Sequence, residues 1–558
     1  MLTFAPMGCN PWLDPRSVQG QQDFVTMLAR RYAQVQLLSW DLINEPSFGD
    51  PKTIFSQRPL PNYDRYEIAA FRDWLAERYS IVELQQRWRQ TPADFAGWDQ
   101  VTLPVAADYA TDPRNTETRN MLKVMDYTFF SQDMFTRWAA QISTAMRAAG
   151  CTTLIGVGQD EACSRISPQF YASAIDYGTT HPWWNNDSLL CDMLLDKHIG
   201  RPNIIQEIGV MLVRDVDMRP WRSEQECANL LERKLVTGLI GRGAGLIQWL
   251  WHINAYMVSD NENSIGLIRP DGSAKPELKV MQEVGRLMQE LKGLVIEPEQ
   301  PPDTWVIIPY SQWFLRPDLA LEATRQSIRI LGYDLGIIPQ MVSEQQLEEL
   351  VGQQQQPQTI ILPGVQHLSE PAWQALLTFV ERGSTLLVSG VLGQDQHNLS
   401  MPIHIADFDH DLQDIRPVSR YEQLQGRNGQ SYQFSYGGDK IAYVKKAHNY
   451  VREYRHEKGR IFWSGIPIEQ SHSAEAIHAI YQEILEVESR DGQQDSPYLI
   501  AQQALKHGKL TLIVSENSQA GELELEDGQR VLIAPGRAGA ILRKDDGSNI
   551  CFGGVHML

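Results

Sequence analysis

Short apolar runs alternate with longer amphipathic stretches along the first 294 residues, and this alternation is the feature that most limits the possible folds. The apolar runs cover 37–43, 153–157, 203–205 and 245–251. Between them, apolar residues recur every three or four positions, which predicts helices over 21–31, 66–79, 126–149, 224–239 and 275–292. Strands that alternate with helices indicate parallel βαβ units. A segment of about 280 residues with this pattern matches the length of a (β/α)₈ barrel.

The remaining residues are too many to belong to the same core. The chain has 558 residues, and single hydrophobic cores stop growing at about 250–300 residues. The Pro-rich acidic segment 297–303 (EPEQPPD) marks a break. A second strand–helix alternation follows, with a weakly periodic insertion at 400–455, and alternating short strands begin near residue 497. We therefore predict a barrel domain at 1–296, an open α/β domain at 303–490 and a small all-β domain at 495–558.

Composition excludes several classes of function. Fifty Lys and Arg residues against 69 Asp and Glu give a net charge of −19, which disfavours a nucleic-acid partner. No apolar run reaches the roughly 20 residues that a membrane span requires, so we expect no membrane partner. The six cysteines form no C-x-x-C pair, and no P-loop, dinucleotide fingerprint or H-E-x-x-H motif is present. We therefore predict no cofactor and no metal.

Two predicted strands end in a glutamate. The first is the segment 40–46 (WDLINEP), in which Glu45 follows the apolar run and Pro46 stops further ladder pairing. Asn44 beside it is a candidate to bind a substrate hydroxyl. The second is the segment 203–209 (NIIQEIG), which delivers Glu207. Strand C-terminal ends open onto the active site of a (β/α)₈ barrel, so both carboxylates are expected at one mouth.

Two carboxylates that flank a cleft are the requirement for cleaving a glycosidic bond. Carboxylates end many strands, however, and a three-residue N-E-P match is weak when it stands alone. The two strand-end glutamates, in this order and within one barrel-length segment, favour a catalytic role.

These motifs resemble those of clan A retaining glycoside hydrolases, and the chain most resembles the family 42 β-galactosidases. The segments FRDWL (71–75), LQQRW (84–88) and Trp98 to Pro104 are similar to the insert that family 42 enzymes carry after strand four. The resemblance implies that Glu45 is the acid/base and Glu207 the nucleophile. It also implies a glutamine-amidotransferase-like second domain, which would mediate a possible homo-oligomer, a trimer. That domain has no cysteine, because the chain has none between Cys227 and Cys551, so thiol amide chemistry is excluded there.

Three further side chains are candidates for substrate binding. His181 and Trp183 lie in the segment THPWW, where strand six would end, between the two glutamates. Trp251 lies in QWLWH at the end of the last predicted strand, where this clan commonly places a tryptophan under the sugar. Packed-loop and core roles are the alternatives for all three. We interpret the neighbouring segment 159–161 (QDE) as a solvated acidic loop, and the alternative is that it lines the cleft.

The beginning of the chain departs from the pattern of a complete barrel. If Glu45 ends strand four, only residues 2–6 precede it as a strand, and the clan's strand-two arginine has no counterpart. We therefore expect an N-terminally truncated (β/α)₈-type barrel that lacks its first two strands. Inactivity of the chain itself and completion by another chain are alternatives that this expectation leaves open. The alternatives are a clan A endo-glycanase or β-mannosidase, and a noncatalytic carbohydrate-binding or assembly protein. No signal peptide is evident, so a cytoplasmic location is expected.

Overall fold

The computed structural model describes most of the chain. The described residues are 10–48, 59–109, 119–160, 166–183, 189–257, 262–296, 302–353, 355–405, 415–437, 443–445, 450–487, 496–525 and 527–558. The predicted strand at residues 2–6 lies outside them.

Five parallel strands form the first part of the molecule, and their order in space follows their order in the chain. They are β1 (Ser39–Asn44), β2 (Leu154–Gly158), β3 (Gly178–Thr180), β4 (Asn203–Ile208) and β5 (Gly243–Gln248). β1 pairs with β2, and β3, β4 and β5 pair in that order. A parallel bridge between Asp160 and His181 joins the two groups. The described strands therefore form a five-stranded arc of a (β/α) barrel.

Helices connect these strands along the chain. They are α1 (Pro15–Arg31), α2 (Arg65–Ala76), α3 (Ile81–Arg87), α4 (Ala106–Tyr109), α5 (Arg119–Ala148), α6 (Pro168–Tyr171), α7 (Leu189–Leu195), α8 (Glu224–Ile240) and α9 (Pro276–Leu291). Local sequence sets the start of several of them. Asp14 caps α1 ahead of a proline at its first turn, and Ser223 and Glu226 form a capping box at α8. The five predicted helices of this part are confirmed.

The two faces of the arc differ in burial. Ile205 and Leu246 face α8, where a Cβ added to Gly238 would meet both side chains. Alternation turns Ile204, Gln206 and Ile247 to the inner face. Ile247 is 41% exposed there. Apolar and polar side chains on the inner face of the described arc are thus partly open to solvent.

A six-stranded sheet forms the second part, in the order β14-β15-β9-β8-β6-β7. All pairs are parallel except β14 with β15. Two antiparallel pairs, β10 with β13 and β11 with β12, form small separate sheets within the predicted insertion. In chain order the strands are β6 (Thr304–Ile308), β7 (Gln340–Ser343), β8 (Thr359–Leu362), β9 (Thr385–Ser389), β10 (Ile415–Pro417), β11 (Tyr421–Gln425), β12 (Ser431–Ser435), β13 (Tyr443–Lys445), β14 (Arg452–His456) and β15 (Gly459–Ser464).

Five helices lie beside this sheet: α10 (Tyr310–Leu315), α11 (Pro317–Arg329), α12 (Leu347–Gly352), α13 (Glu370–Glu381) and α14 (Ala474–Leu485). Of the six strands in this sheet, β6 comes first along the chain, yet it lies between β7 and β8. The strand order therefore reverses at β6, the position at which open α/β sheets usually bind ligands.

Two antiparallel sheets form the C-terminal part. One has the order β16-β17-β20-β21, and the other has the order β18-β19-β22. Their strands are β16 (Tyr498–Leu505), β17 (Gly508–Ser515), β18 (Gly521–Glu524), β19 (Arg530–Ile533), β20 (Ala538–Lys544), β21 (Asn549–Gly553) and β22 (Val555–Met557). A buried Glu232 on α8 accepts hydrogen bonds from the Arg537 guanidinium and the Ala538 backbone, which ties this part to the barrel arc.

The predicted element types agree with this architecture, and the exact domain limits stay a prediction. Among the described helices, none is both long and apolar enough to cross a membrane.

Candidate active site

Three side chains converge at the C-terminal ends of the arc strands. Glu45 directly follows β1, His181 directly follows β3, and Glu207 lies at the penultimate position of β4. His181 Nδ1 lies 3.0 Å from Glu45 Oε1 and 3.7 Å from Glu207 Oε2. The imidazole is completely buried, whereas the Glu45 and Glu207 side chains are 16% and 13% exposed. The two carboxylates can therefore be reached from solvent, and the imidazole lies behind them.

An extra residue interrupts the register of each glutamate-bearing strand, just before Glu45 on β1 and around Glu207 on β4. Between β1 and β2, Asp41 is opposite Gly156, but Asn44 is opposite Gly158. A bulge of this kind redirects the following side chain. Glu45 then adopts a positive φ of 45° and donates its backbone N–H to the Gly158 carbonyl at 2.7 Å.

The same irregularity occurs on β4. Ile205 is opposite Leu246 of β5, but Ile208 is opposite Gln248. In an ideal strand Glu207 would share the face of Ile205, which packs against α8. The extra residue instead lets the Glu207 carboxylate approach His181.

The charges of the cluster shift two pKa values. Burial opposes the charged imidazolium, but the hydrogen bond to Glu45 and the charge of Glu207 outweigh it and raise the pKa of His181 above its usual value. Burial is the main cause that raises the pKa of Glu207, and the nearby Glu45 and Asp41 raise it further. The charge of His181 and a hydrogen bond from Trp183 oppose that rise in the pKa of Glu207.

The side chain of Trp183, a candidate for substrate binding, contacts a carboxylate of the cluster. The half-buried Trp183 follows a tight turn, in which its backbone N–H donates to the His181 carbonyl at 3.0 Å. Its side chain hydrogen-bonds to Glu207. Trp183 thus contacts Glu207 directly, and its part in substrate binding stays a prediction.

The other two predicted binding residues lie at the rim. Asn44 is exposed, and its Oδ1 is 3.2 Å from the position of a Cβ added to Gly158. Trp251 is 61% exposed. The last strand was predicted over 245–251, but β5 ends at Gln248, so Trp251 lies three residues beyond the strand. No contact between Trp251 and the two glutamates is present among the described residues.

The expectation of a solvated acidic loop at 159–161 is wrong for its first two residues. Gln159 and Asp160 are buried. Gln159 accepts a hydrogen bond from the Tyr171 hydroxyl at 2.8 Å. The Asp160 backbone forms a parallel β-bridge with that of His181. Glu161 lies outside the described residues.

Sequence reasoning missed a buried lysine that joins two strand ends. The Lys234 ammonium, on α8, donates to the carbonyls of Trp183 at 2.8 Å, Pro182 at 3.0 Å and Gly209 at 3.4 Å. It thereby links the loop after β3, which carries His181, to the residue that follows β4. A lysine inside a predicted amphipathic helix gives no sequence signal of this role.

The cluster also has the donor atoms of a possible cation site. One nitrogen of His181 and one oxygen from each of Glu45 and Glu207 all lie within 4.8 Å of one another. Imidazole and carboxylate are common ligands of Zn²⁺ and similar ions. These three side chains could therefore accept a divalent cation, and the hydrogen bond between His181 and Glu45 accounts equally well for their approach.

A parallel βα arc with two accessible carboxylates at its mouth is the arrangement found in (β/α)-barrel glycoside hydrolases, and the comparisons with known proteins agree with it. The family model Glyco_hydro_42, described as Beta-galactosidase, matches residues 18–163, about a quarter of the chain. This range contains Glu45 and ends before His181 and Glu207. No curated protein sequence matches the chain.

Solved structures of glycoside hydrolases share the fold over nearly the whole chain. A β-galactosidase from Bacillus circulans sp. alkalophilus is 14% identical, with a TM-score of 0.71, over 99% of this chain and 84% of that one. A β-galactosidase from the Antarctic haloarchaeon Halorubrum lacusprofundi is 13% identical, with a TM-score of 0.71, over 96% and 83%. An exo-carrageenase from Bacteroides ovatus is 12% identical, with a TM-score of 0.57, over 98% and 70%.

The resemblance to family 42 that the sequence motifs predict is therefore confirmed. The fold is that of multidomain (β/α)-barrel enzymes with C-terminal β sheets. The family match and this fold together support a glycoside hydrolase.

Proposed function

We propose that the chain is a retaining β-glycosidase that hydrolyses terminal β-galactosides by double displacement. One observation carries the proposal: the nearest oxygens of Glu45 and Glu207 lie within 4.8 Å of each other at the mouth of the arc. Retaining glycosidases hold their two carboxyl groups at about 5–5.5 Å, whereas inverting enzymes keep them about 6.5–9.5 Å apart to admit a water molecule. The separation supports retention.

In this proposal Glu207 is the nucleophile. The ionised carboxylate attacks the anomeric carbon, and a covalent glycosyl-enzyme forms. The hydrogen bond from the Trp183 side chain helps to hold the orientation of this carboxylate. Because burial raises the pKa of Glu207, the group must lose its proton at a higher pH than an ordinary glutamate before it can attack.

Glu45 is the acid/base, and it acts together with His181. The two groups are hydrogen-bonded, so the proton required by the leaving oxygen belongs to the pair. When that proton lies on Glu45, the carboxyl group is neutral and protonates the departing oxygen. After departure, Glu45 removes a proton from the water that hydrolyses the glycosyl-enzyme.

The substrate class rests on the family 42 resemblance and on the β-galactosidases that share the fold. Asn44, Trp183 and Trp251 are the residues that we expect around the sugar, with Asn44 hydrogen-bonded to a hydroxyl and Trp251 at the outer rim. We further propose the domain limits given above and self-association through the second domain, which light scattering on the purified chain would test.

Hydrolysis of aryl β-glycosides by the full chain tests the proposal. We expect release of the aryl group from the β-galactoside in preference to the glucoside and mannoside, with an initial product of retained configuration by NMR. Glu207→Ala should be inactive and should regain turnover with azide, which gives an inverted glycosyl azide. A Glu207→Ala variant with wild-type hydrolysis, or an inverted wild-type product, would contradict the mechanism.

A further inference from the structure

We infer that Asp41 is a positioning residue, which fixes the bulge at the end of β1 and so aims Glu45 at His181 and Glu207. The inference rests on the proposed function and extends it to a third carboxylate, which the mechanism above does not use. Asp41 lies four residues before Glu45 in the segment WDLINEP. It was not among the residues predicted from the sequence.

The contacts of Asp41 lie at the bulge itself. Its Oδ1 accepts the backbone N–H of Gly158 at 2.9 Å and that of Ile43 at 3.1 Å. Ile43 lies within the irregular stretch between the Asp41 and Asn44 pairings, and Gly158 is the partner of Asn44 on β2. Where a bulge disrupts the ladder, an acceptor from a side chain can replace the missing partner. The Asp41 carboxylate therefore holds the irregular end of β1 against β2.

Asp41 also reaches the strand of the second glutamate. The Gln206 side chain, on β4, donates a hydrogen bond to Asp41. Gln206 directly precedes Glu207, and both belong to the bulged end of β4. One carboxylate thus connects three strands, β1, β2 and β4, and both bulges that direct the two glutamates.

The space between Gly158 and Asp41 is narrow, although the Asp41 side chain is exposed. A Cβ added to Gly158 would lie 3.0 Å from Asp41 Oδ2, 3.2 Å from Asn44 Oδ1 and 3.2 Å from His181 Cε1. Even one methyl group at this position would push Asp41 or its neighbours away. Gly158→Ala is therefore a second way to disturb the Asp41 contacts without removing the carboxylate.

The charge of Asp41 acts on the cluster as well. Four titratable groups from neighbouring elements interact with it electrostatically, and they are His181, Glu207, Tyr171 and Tyr177. The negative charge raises the pKa of both His181 and Glu207. Geometry and charge can be separated, because an asparagine at position 41 keeps the acceptor oxygen and loses the charge.

The test compares Asp41→Ala, Asp41→Asn and Gly158→Ala with a matched control, Asp176→Ala. Asp176 also accepts a backbone N–H of β2, that of Ile155 at 2.7 Å, but at the opposite end of the strand. We expect kcat to fall about 100-fold in Asp41→Ala with little change in KM, since a displacement of about 1 Å can have that effect. Asp41→Asn should recover most of kcat and shift the acid limb of the pH profile to lower pH. Asp176→Ala should keep its kcat per folded molecule.

A second readout does not depend on turnover. The imidazole of His181, assigned by comparison with His181→Gln, is titrated by NMR in the same variants. We expect His181 to titrate at lower pH in Asp41→Asn and lower still in Asp41→Ala, where Glu45 is no longer held against it. If the wild-type chain hydrolyses no glycoside, the proposed function fails, and this titration still decides the role of Asp41. Wild-type titration of His181 in Asp41→Ala, or in Gly158→Ala should the former not fold, would overturn the inference.

Discussion

The C-terminal edges of the barrel arc and of the six-stranded sheet both carry glutamates, but these glutamates differ in solvent exposure and in hydrogen bonding. At the barrel arc, Glu45 and Glu207 remain partly exposed around a buried imidazole. At the second sheet, Glu344 and Glu469 are buried and hydrogen-bonded to their own domain. Polar residues at strand ends are thus common to both edges, and solvent access distinguishes the candidate active site.

The switch point of the second sheet shows how such an edge becomes filled. The Gln312 side chain donates to the Gly364 carbonyl at 2.9 Å and accepts from the Gln366 backbone at 2.5 Å. Gln470 donates to the same carbonyl at 3.0 Å. Glu469 accepts from Ser389, from Tyr481 at 2.8 Å and from the Gly364 backbone at 3.2 Å. The protein's own side chains occupy the place where a ligand would bind.

The largest expected difference between the two edges is in turnover. Glu207→Ala should lower kcat by at least about 10⁴-fold with little change in melting temperature, because it removes the attacking group from a partly open site. The isosteric Glu469→Gln should leave kcat per folded molecule within about twofold, because its hydrogen bonds serve only the second domain. Steady-state kinetics with calorimetry on both variants checks this. Equal losses of kcat in the two variants would contradict the proposed difference between the two edges.

Stability should respond to pH through the second edge. Burial raises the pKa of Glu344 to about 7 from 4.5. The folded state therefore binds this proton more tightly, and the resulting stabilisation is present below pH 4.5 and lost as pH rises to about 7, by about 3 kcal/mol. Glu344→Gln should lack this loss. The difference in unfolding free energy between the variant and the wild type should therefore change by about 3 kcal/mol in favour of the variant between pH 4.5 and about pH 7. Urea unfolding at several pH values measures it.

The exposed Glu348 is the control for that experiment. Glu348→Gln should follow the wild-type pH dependence, since its side chain lies in water on the neighbouring helix α12. If both variants follow the wild type, the Glu344 carboxyl does not titrate as its burial predicts.

Two buried lysines, one at the C-terminal and one at the N-terminal ends of the arc strands, provide a further comparison. Lys234 binds the carbonyls of the loops that carry His181 and Trp183, whereas Lys197 donates to the Arg242 carbonyl just before β5 begins. Lys234→Met should lower kcat/KM about 10- to 100-fold because the loops after β3 and β4 lose their common donor. Lys197→Met should lower stability alone. Similar kcat/KM values for the two variants, each corrected for folded fraction, would contradict the assignment.

The smallest expected effect is a displacement of the pH profile. Activity needs an ionised Glu207, so it falls as pH drops through the raised pKa of that group. It also needs the proton of the Glu45–His181 pair, which is lost as pH rises through the raised pKa of His181. His181→Gln should move the alkaline limb of kcat/KM to lower pH by about one unit or more, because a carboxyl group alone releases its proton earlier than an imidazole. An unmoved alkaline limb would exclude His181 from the pair.

The sequence predicted the parts of the site that depend on local patterns. The apolar runs before Glu45 and Glu207 indicated parallel strands, and parallel strands of a (β/α) barrel bring their C-terminal ends to one mouth. The proximity of His181 followed in the same way, because its segment ends the strand between them.

The parts of the site that the sequence could not predict depend on contacts between residues that are far apart in the chain. The direction of the Trp183 indole depends on a turn that Lys234 holds from 51 residues further along the chain. Asp41 in a strand has the same pattern as any solvent-facing polar residue, and its contacts with Gly158 and Gln206 depend on strand order and on two bulges. Neither bulge has a signature in the sequence, since both lie in ordinary apolar segments.

The most direct test of the central claim is covalent trapping of the intermediate on the full chain with a 2-deoxy-2-fluoro-β-galactosyl fluoride, followed by peptide mass spectrometry. The account predicts a single fluorogalactosyl ester on Glu207, which forms more slowly in Glu45→Ala and not at all in Glu207→Ala. Turnover of aryl galactosides with the label on another carboxylate, or with no label on Glu207, would contradict it.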